Sequence, residues 1–118
     1  MKIEDIINRE ALSERLDNDF ELFKELAELF IKESPNLLAA VEDAVTIKNG
    51  EKIGKTAHTL KGAIANFSAD TAYQSALTLE KIGKNNQLAK AETALQNLKH
   101  ELKQMTEALS RLMAEDRL

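Results

Sequence analysis

Residues 20–45, FELFKELAELFIKESPNLLAAVEDAV, place apolar side chains at spacings of three and four, the repeat of an α-helix with one buried face. Asn18 or Asp19 is a suitable N-terminal cap for this helix, and Asn49 with Gly50 suits its end. Pro35 lacks a backbone N–H donor, so we expect the helix to kink or restart there. The apolar repeat consists of Phe20, Phe23, Leu26, Ala27, Phe30, Ile31, Leu37, Leu38, Val41, Ala44 and Val45.

The remaining segments also have helical periodicity, and none alternates with period two for long enough to predict a strand. We expect Ser68 or Asp70 to cap the helix that follows the histidine segment. Short connections between long helices are typical of an antiparallel bundle. The sequence therefore predicts an all-α, antiparallel up-down-up-down four-helix bundle with a short additional N-terminal helix, in one domain spanning residues 1–118. Its predicted helices cover residues 3–16, 20–48, 51–67, about 70–84 and 88–113.

Composition excludes several classes of function. The chain has 118 residues and a net charge of −4, and its acidic and basic residues are interleaved without the basic stripe typical of nucleic-acid binding. It has no cysteine for a disulfide framework or a thiolate metal site. No segment has the length and apolarity of a signal peptide core or a membrane span. We expect a cytoplasmic protein with no nucleic-acid or membrane partner, and the starting Met and lack of linker composition favour a free-standing protein.

The segment KTAHTLKGAIANF, residues 55–67, places a histidine in an unusual setting. A helix turns about 100° per residue, so His58 lies opposite the large apolar residues of the segment and faces solvent. Gly62 and Ala65 share the histidine's face, and Lys55 and Lys61 lie three residues to either side. Gly62 costs about 1 kcal/mol relative to alanine inside a helix, which suggests a compensating function. Small residues would let another molecule approach the imidazole, and two ammonium groups would favour an anion there, such as a phosphoryl group.

A second interpretation of the same face stays open at this point. Gly62 and Ala65 could pack against a neighbouring helix, which would make His58 an incidental surface residue. His100 is a useful comparison, because it also lies opposite the leucine stripe of its helix. Its neighbours there are Gln96, Lys103 and Gln104, an ordinary solvated face, and we assign it no function.

The run HTLKGAIANF, residues 58–67, resembles the HxLKG motif of histidine-containing phosphotransfer (Hpt) domains, which belong to multistep two-component phosphorelays. Residues 16–45 are similar to the helical segment that precedes this motif in the family, and LTLEKIG, residues 77–83, is similar to the helix that follows it. One position departs from the family pattern. Ser68 stands where the family commonly has a glycine that helps the turn, and we expect Ser68 to cap the next helix instead, with a changed turn and retained phosphotransfer.

The resemblance implies a role for each matching residue. His58 would be the phosphoacceptor through Nε2, Lys61 would help hold the phosphoryl group, and Lys55 would assist. Gly62 would leave room for the phosphoryl group and the partner, which would dock over the stripe that continues to Ala65.

Related domains often carry Glu or Gln near the imidazole at the position of Glu80, 22 residues after His58. A hairpin of two antiparallel helices would return Glu80 to the level of His58. A carboxylate that accepts from Nδ1–H would fix the tautomer and leave Nε2 free as a nucleophile. The alternative, a solvated charge on the flank of a helix, stays open.

The chain shows no glycine-rich nucleotide loop and no carboxylate cluster typical of a Mg²⁺ site, so we expect a phosphoryl carrier without autonomous kinase activity and without a cofactor of its own. The resemblance implies two kinds of partner, response-regulator receiver domains and a hybrid sensor histidine kinase. It also implies that the receiver brings the aspartate and Mg²⁺. The protein itself is expected to be a monomer.

Three rival functions stay open. The first is a helical adaptor that binds a receiver or another helix without using His58, and the second is an oligomer built on the leucine stripe of the last helix. The third is a metal site, for which two histidines on separate helices are a weak ligand set.

Overall fold

Helices account for nearly all of the computed structural model, which describes residues 2–116 and 118. Two short helices come first, and four longer helices follow. Between the long helices lie two 3₁₀ turns, Ala65–Phe67 and Leu88–Lys90, and no strand occurs among the described residues. The helices are α1 (Ile3–Ile6), α2 (Arg9–Arg15), α3 (Phe20–Thr46), α4 (Gly50–Ile64), α5 (Asp70–Lys84) and α6 (Ala91–Glu115).

The four long helices form the bundle that the sequence predicts. Helix α4 packs against α3 and α5, and α6 closes the arrangement by packing against α5 and α3. Short connections make successive helices antiparallel, and α1 packs against α5 and α6 at one end. The all-α fold class is therefore confirmed. No helix among the described residues is both long enough and apolar enough to cross a membrane.

The core consists of the apolar stripes that the periodicity identifies. The leucine stripe of α6 faces the other helices of the same chain, since Leu98, Leu109 and Leu112 are all fully buried. This burial removes the stripe as a surface for oligomerisation, so the interpretation of α6 as an oligomer interface is wrong for these residues. Phe30 of α3 and Phe67 pack together with ring centroids 5.2 Å apart, which joins α3 to the turn after α4.

Proline does not interrupt the third helix. Helix α3 continues from Phe20 to Thr46 with Pro35 inside it, so the predicted restart is wrong. Pro35 lies on the exposed side, whereas Phe30 and Val41 on either side of it are buried in the same core. Packing of both halves against one bundle outweighs the loss of a backbone hydrogen bond, which costs about 3 kcal/mol in an isolated helix.

The helix boundaries show which polar residues act as caps. Asp19 accepts a hydrogen bond from the backbone of Leu22, as predicted for this position. Helix α3 ends at Thr46, earlier than predicted. Asn49 begins the next helix instead, because its Oδ1 accepts from the backbone N–H of Lys52 at 3.1 Å.

The N-terminal segment forms two helices instead of the predicted single one. The chain is extended at Ile7 and Asn8, between α1 and α2. Asn8 caps α2 by accepting from the backbone N–H of Ala11 at 3.0 Å. A capping side chain in a β-region conformation starts a new helix, which explains the break.

Ser68 does not cap the helix that follows it. The residue takes a left-handed conformation with φ 53°, and α5 begins two residues later with Ala69 at the cap position and no side-chain cap. The Ser68 carbonyl accepts a hydrogen bond from the backbone N–H of Asn8 at 3.0 Å. Ser68 therefore keeps a backbone conformation that glycine adopts without strain, and the expectation of a capping serine is wrong.

Candidate functional site

His58 lies on the exposed face of α4, as the helical wheel predicts. Its side chain is 65% exposed, whereas Ile53, Leu60 and Ile64 on the other side of the helix are fully buried. The buried side fixes the rotation of α4 about its axis, so the imidazole must point away from the core. The edge of the ring is therefore accessible from outside the protein.

Glu80 reaches His58 from the neighbouring helix. Its Oε2 lies 3.0 Å from Nδ1 of His58, across the hairpin of α4 and α5. Glu80 is only 3% exposed, so the interpretation of this residue as a solvated charge is wrong. A carboxylate can accept from Nδ1 only if that nitrogen carries the proton, so the contact favours the tautomer in which Nε2 has a free electron pair.

Two lysines neutralise the buried carboxylate. The ammonium of Lys61 lies 2.7 Å from Oε1 of Glu80, and that of Lys84 lies 2.8 Å from Oε2. Burial raises the pKa of Glu80, but the contacts with Lys61, Lys84 and His58 outweigh this effect and lower it from 4.5 to about 2. The carboxylate is therefore ionised at neutral pH and can orient the imidazole.

Lys61 is held by groups on both sides. Its contact with Glu80 raises the pKa of Lys61 above 10.5, against the effect of its own burial. The ammonium also lies 5.8 Å from the ring centroid of Tyr73 on α5, a distance that permits a cation–π contact. The side chain is 15% exposed, so Lys61 is a fixed positive charge beside the histidine and not a freely moving surface lysine.

The other predicted site residues lie around this centre but do not contact it. Lys55 pairs with Glu51 on its own helix at 3.0 Å, with both side chains exposed. Gly62 is exposed, and a Cβ added there would meet no atom within 4 Å, so the interpretation that Gly62 packs against a neighbouring helix is wrong. Ala65 is half-buried in the 3₁₀ turn and lines a separate groove with Arg15.

A groove of about 830 Å³ opens beside the imidazole, between the start of α4 and the end of α5. Its floor is formed by Gly54 and Gly83, where the two helices touch through their backbones. A Cβ on Gly83 would lie 2.5 Å from the backbone nitrogen of Gly54, which leaves no room for a side chain. This close approach sets the distance between α4 and α5 and hence the contact between His58 and Glu80.

Sequence reasoning missed Lys84 and Gly83. Lys84 lies four residues after Glu80, the spacing at which oppositely charged side chains meet on a helix, so this signal was available. Gly83 offered no comparable signal, because its role depends on a backbone in another helix. His100 lies exposed on α6, away from this helix pair. Among residues 2–116 and 118, no three His, Cys, Asp or Glu side chains are grouped as metal ligands would be.

Comparisons with known proteins agree with this geometry. The family model of the Hpt domain matches residues 25–112, which include α4, α5 and most of α3 and α6. No curated protein sequence matches the chain significantly. The crystal structure of histidine-containing phosphotransfer protein B (HptB) from Pseudomonas aeruginosa PAO1 is similar in fold, with a TM-score of 0.78 at 18% identity, over 90% of this chain and 91% of that one. The chain belongs to the Hpt family, the histidine phosphotransfer domains of two-component phosphorelays.

Proposed function

We propose that His58 is the phosphoacceptor of this chain and that it reacts through Nε2. The observation that supports this role is the combination of an exposed imidazole with a buried carboxylate on its Nδ1. Glu80 fixes the tautomer, so the free electron pair of Nε2 points away from the core. His100, which is exposed on α6, contacts no carboxylate among the described residues and stays outside the proposed site.

The transfer step needs positive charge and space more than it needs covalent chemistry from the protein. Nε2 attacks the phosphorus of an aspartyl phosphate, the P–N bond forms, and the P–O bond breaks with its electron pair returning to the aspartate carboxylate. Lys61 supplies a positive charge beside the incoming phosphoryl group. Gly62, one turn after His58 on the exposed face, leaves room for the phosphoryl group and the partner.

The partner surface surrounds the imidazole. We place Lys55 on one margin, in the groove beside the ring, and Ala65 on the opposite margin, toward the 3₁₀ turn. Lys55 is already paired with Glu51, so its charge is available only if that exposed ion pair opens. Exposed pairs of this kind contribute about 0 to 1 kcal/mol, so opening would cost little.

The family relationship supports a wider set of proposals for residues 1–118 as one unit. The partners are response-regulator receiver domains and a hybrid sensor histidine kinase, and the receiver supplies the aspartate and the Mg²⁺. The chain itself is a monomeric carrier in the cytoplasm, without cofactor and without autonomous kinase activity. It accepts the phosphoryl group from one receiver and passes it to a second, and the same geometry serves both directions.

A phosphotransfer assay tests the proposal. A receiver domain carrying a radiolabelled aspartyl phosphate is mixed with the wild-type chain, with His58→Gln and with His100→Gln as the matched control. We expect an acid-labile, base-stable label on the wild type and on His100→Gln, and none on His58→Gln. Label on His58→Gln would refute the assignment. Receivers that bind the wild type without transferring label would favour the adaptor function instead.

A further inference from the structure

Lys84 and His58 contact the same oxygen of Glu80. The ammonium of Lys84 lies 2.8 Å from Oε2, and Nδ1 of His58 lies 3.0 Å from that oxygen, whereas Lys61 contacts Oε1. One carboxylate oxygen has two acceptor positions, so both contacts fit together. The positive charge of Lys84 nevertheless reduces the negative potential that Oε2 presents to Nδ1.

This arrangement matters once the imidazole carries a phosphoryl group on Nε2. In the neutral ring, Nδ1 then has no proton. A proton on Nδ1 makes the ring a better leaving group, because the ring then departs as neutral imidazole. In hydrolysis a water oxygen bonds to phosphorus and the electron pair of the P–N bond goes to Nε2. Both water protons leave with phosphate as H₂PO₄⁻, and the proton on Nδ1 stays on the ring.

We propose that Lys84 is a positioning residue that lengthens the lifetime of phosphohistidine at His58 by weakening the hold of Glu80 on the Nδ1 proton. The proposal rests on the function proposed above. A bare carboxylate at Oε2 favours the protonated, labile ring, and the ammonium of Lys84 opposes that effect.

The other lysines near the imidazole do not contact Oε2, the oxygen of Glu80 that faces Nδ1, so the effect on that oxygen is assigned to Lys84. On α4, Lys55 is paired with Glu51, and Lys61 lies on the other oxygen of Glu80, beside Tyr73. On α5, Oε2 of Glu80 contacts both Nδ1 of the ring and the ammonium of Lys84.

The lifetime of the phosphorylated chain is a direct test. His58 is loaded with phosphoramidate, or with a phosphorylated receiver, in a His100→Gln background, and the phosphohistidine signal is followed by ³¹P NMR. We expect Lys84→Gln to lose its phosphate roughly two- to five-fold faster than the parent, the effect that a partly exposed ion pair can exert. Lys84→Arg keeps the charge and should restore most of the lifetime.

Lys81→Gln is the matched control, because Lys81 is an exposed lysine on the same helix without an ion pair to the described residues. It should leave the lifetime unchanged. The ¹⁵N chemical shift of Nδ1 in the unphosphorylated chain should move in Lys84→Gln and not in Lys81→Gln, a change that loss of folding stability would not produce.

A Glu80→Gln background separates the proposed route from a direct effect of Lys84 on the phosphoryl group. Without the carboxylate, Lys84→Gln should no longer change the lifetime. If it still does, or if Lys84→Gln matches or outlives the parent with Glu80 present, this proposal is overturned while phosphotransfer stands. If His58 accepts no phosphoryl group from either donor, both proposals are overturned.

Discussion

One added methyl group should have opposite effects on stability at Gly62 and at Gly83, although both glycines lie in helices of the same hairpin. At Gly62 a Cβ would meet no atom within 4 Å, so Gly62→Ala adds only the helix propensity of alanine. That gain is about 1 kcal/mol in a helix interior. For a domain of this size it corresponds to a rise in Tm of roughly 4 °C.

At Gly83 the same methyl group would collide with the backbone of α4. The Cβ would lie 2.5 Å from the nitrogen of Gly54 and 2.7 Å from the carbonyl oxygen of Gly50, and neither backbone atom can rotate away. Ordinary contact begins near 3.4 Å, so α4 and α5 must separate by about 1 Å. Overpacking of this kind costs about 1–3 kcal/mol, and helix propensity returns at most about 1 kcal/mol. With that return, we expect a net loss of up to about 2 kcal/mol.

Urea unfolding followed by circular dichroism measures both changes, and phosphotransfer measured on the same samples adds the functional consequence. Gly83→Ala should lower phosphorylation of His58, since separating the helices lengthens its 3.0 Å contact with Glu80. Gly62→Ala should be more stable and still transfer more slowly, because the new methyl group occupies the face on which we propose that the partner docks. Equal signs for the two stability changes would refute the reasoning about the α4–α5 contact. A transfer rate unchanged in Gly62→Ala would refute the proposed role of Gly62.

Three further predictions concern acid, the turn after α4 and a helix cap. The pKa of Glu80 falls from 4.5 to about 2 on folding, so its contribution of roughly 3 kcal/mol to the free energy of unfolding is fully present above pH 4.5 and lost as the pH falls toward 2. Urea unfolding at several pH values should therefore show that Glu80→Gln loses less stability than the wild type over that interval. Ser68→Gly should stabilise the fold by about 0.5–1 kcal/mol, since Ser68 has φ 53°, and an unchanged or lower Tm would contradict the left-handed turn. Asn49→Ala should cost about 1 kcal/mol in the same unfolding assay by removing the cap of α4, whereas Asn49→Asp should cost much less.

The site was predictable where it depends on periodicity within one helix or on the length of one hairpin. The wheel places His58 opposite Ile53 and Leu60, and the buried residues of α4 confirm this orientation. The 22-residue interval to Glu80 returns the chain to the same level, and the two side chains do meet. The orientation of His58 needs only the geometry of a helix, whereas the choice of Glu80 came from the resemblance to Hpt domains, and the length of the hairpin made that contact plausible.

The errors arose where a local preference competed with packing or with a distant segment. Pro35 disfavours a helix locally, yet burial of Phe30 and Val41 on both sides of it keeps α3 continuous. Ser68 is a good capping residue in isolation, yet its carbonyl is held by Asn8, sixty residues earlier, and its backbone takes the left-handed conformation. Propensity is a weak guide at such positions, because the competing interaction lies outside the local sequence.

The chemistry of the proposed site depends on a distance that no charged residue sets. His58 and Lys61 belong to α4, and Glu80 and Lys84 belong to α5, so the contacts of the carboxylate with His58 and Lys61 cross between the two helices, whereas its contact with Lys84 lies within α5. The charges can reach one another because Gly83 lets the two backbones touch. With a larger residue there, Glu80 would withdraw from both His58 and Lys61, and the buried carboxylate would keep only its ion pair with Lys84 on the same helix. The same glycine contact that packs the hairpin therefore keeps Glu80 ionised and the imidazole in the tautomer that transfer requires.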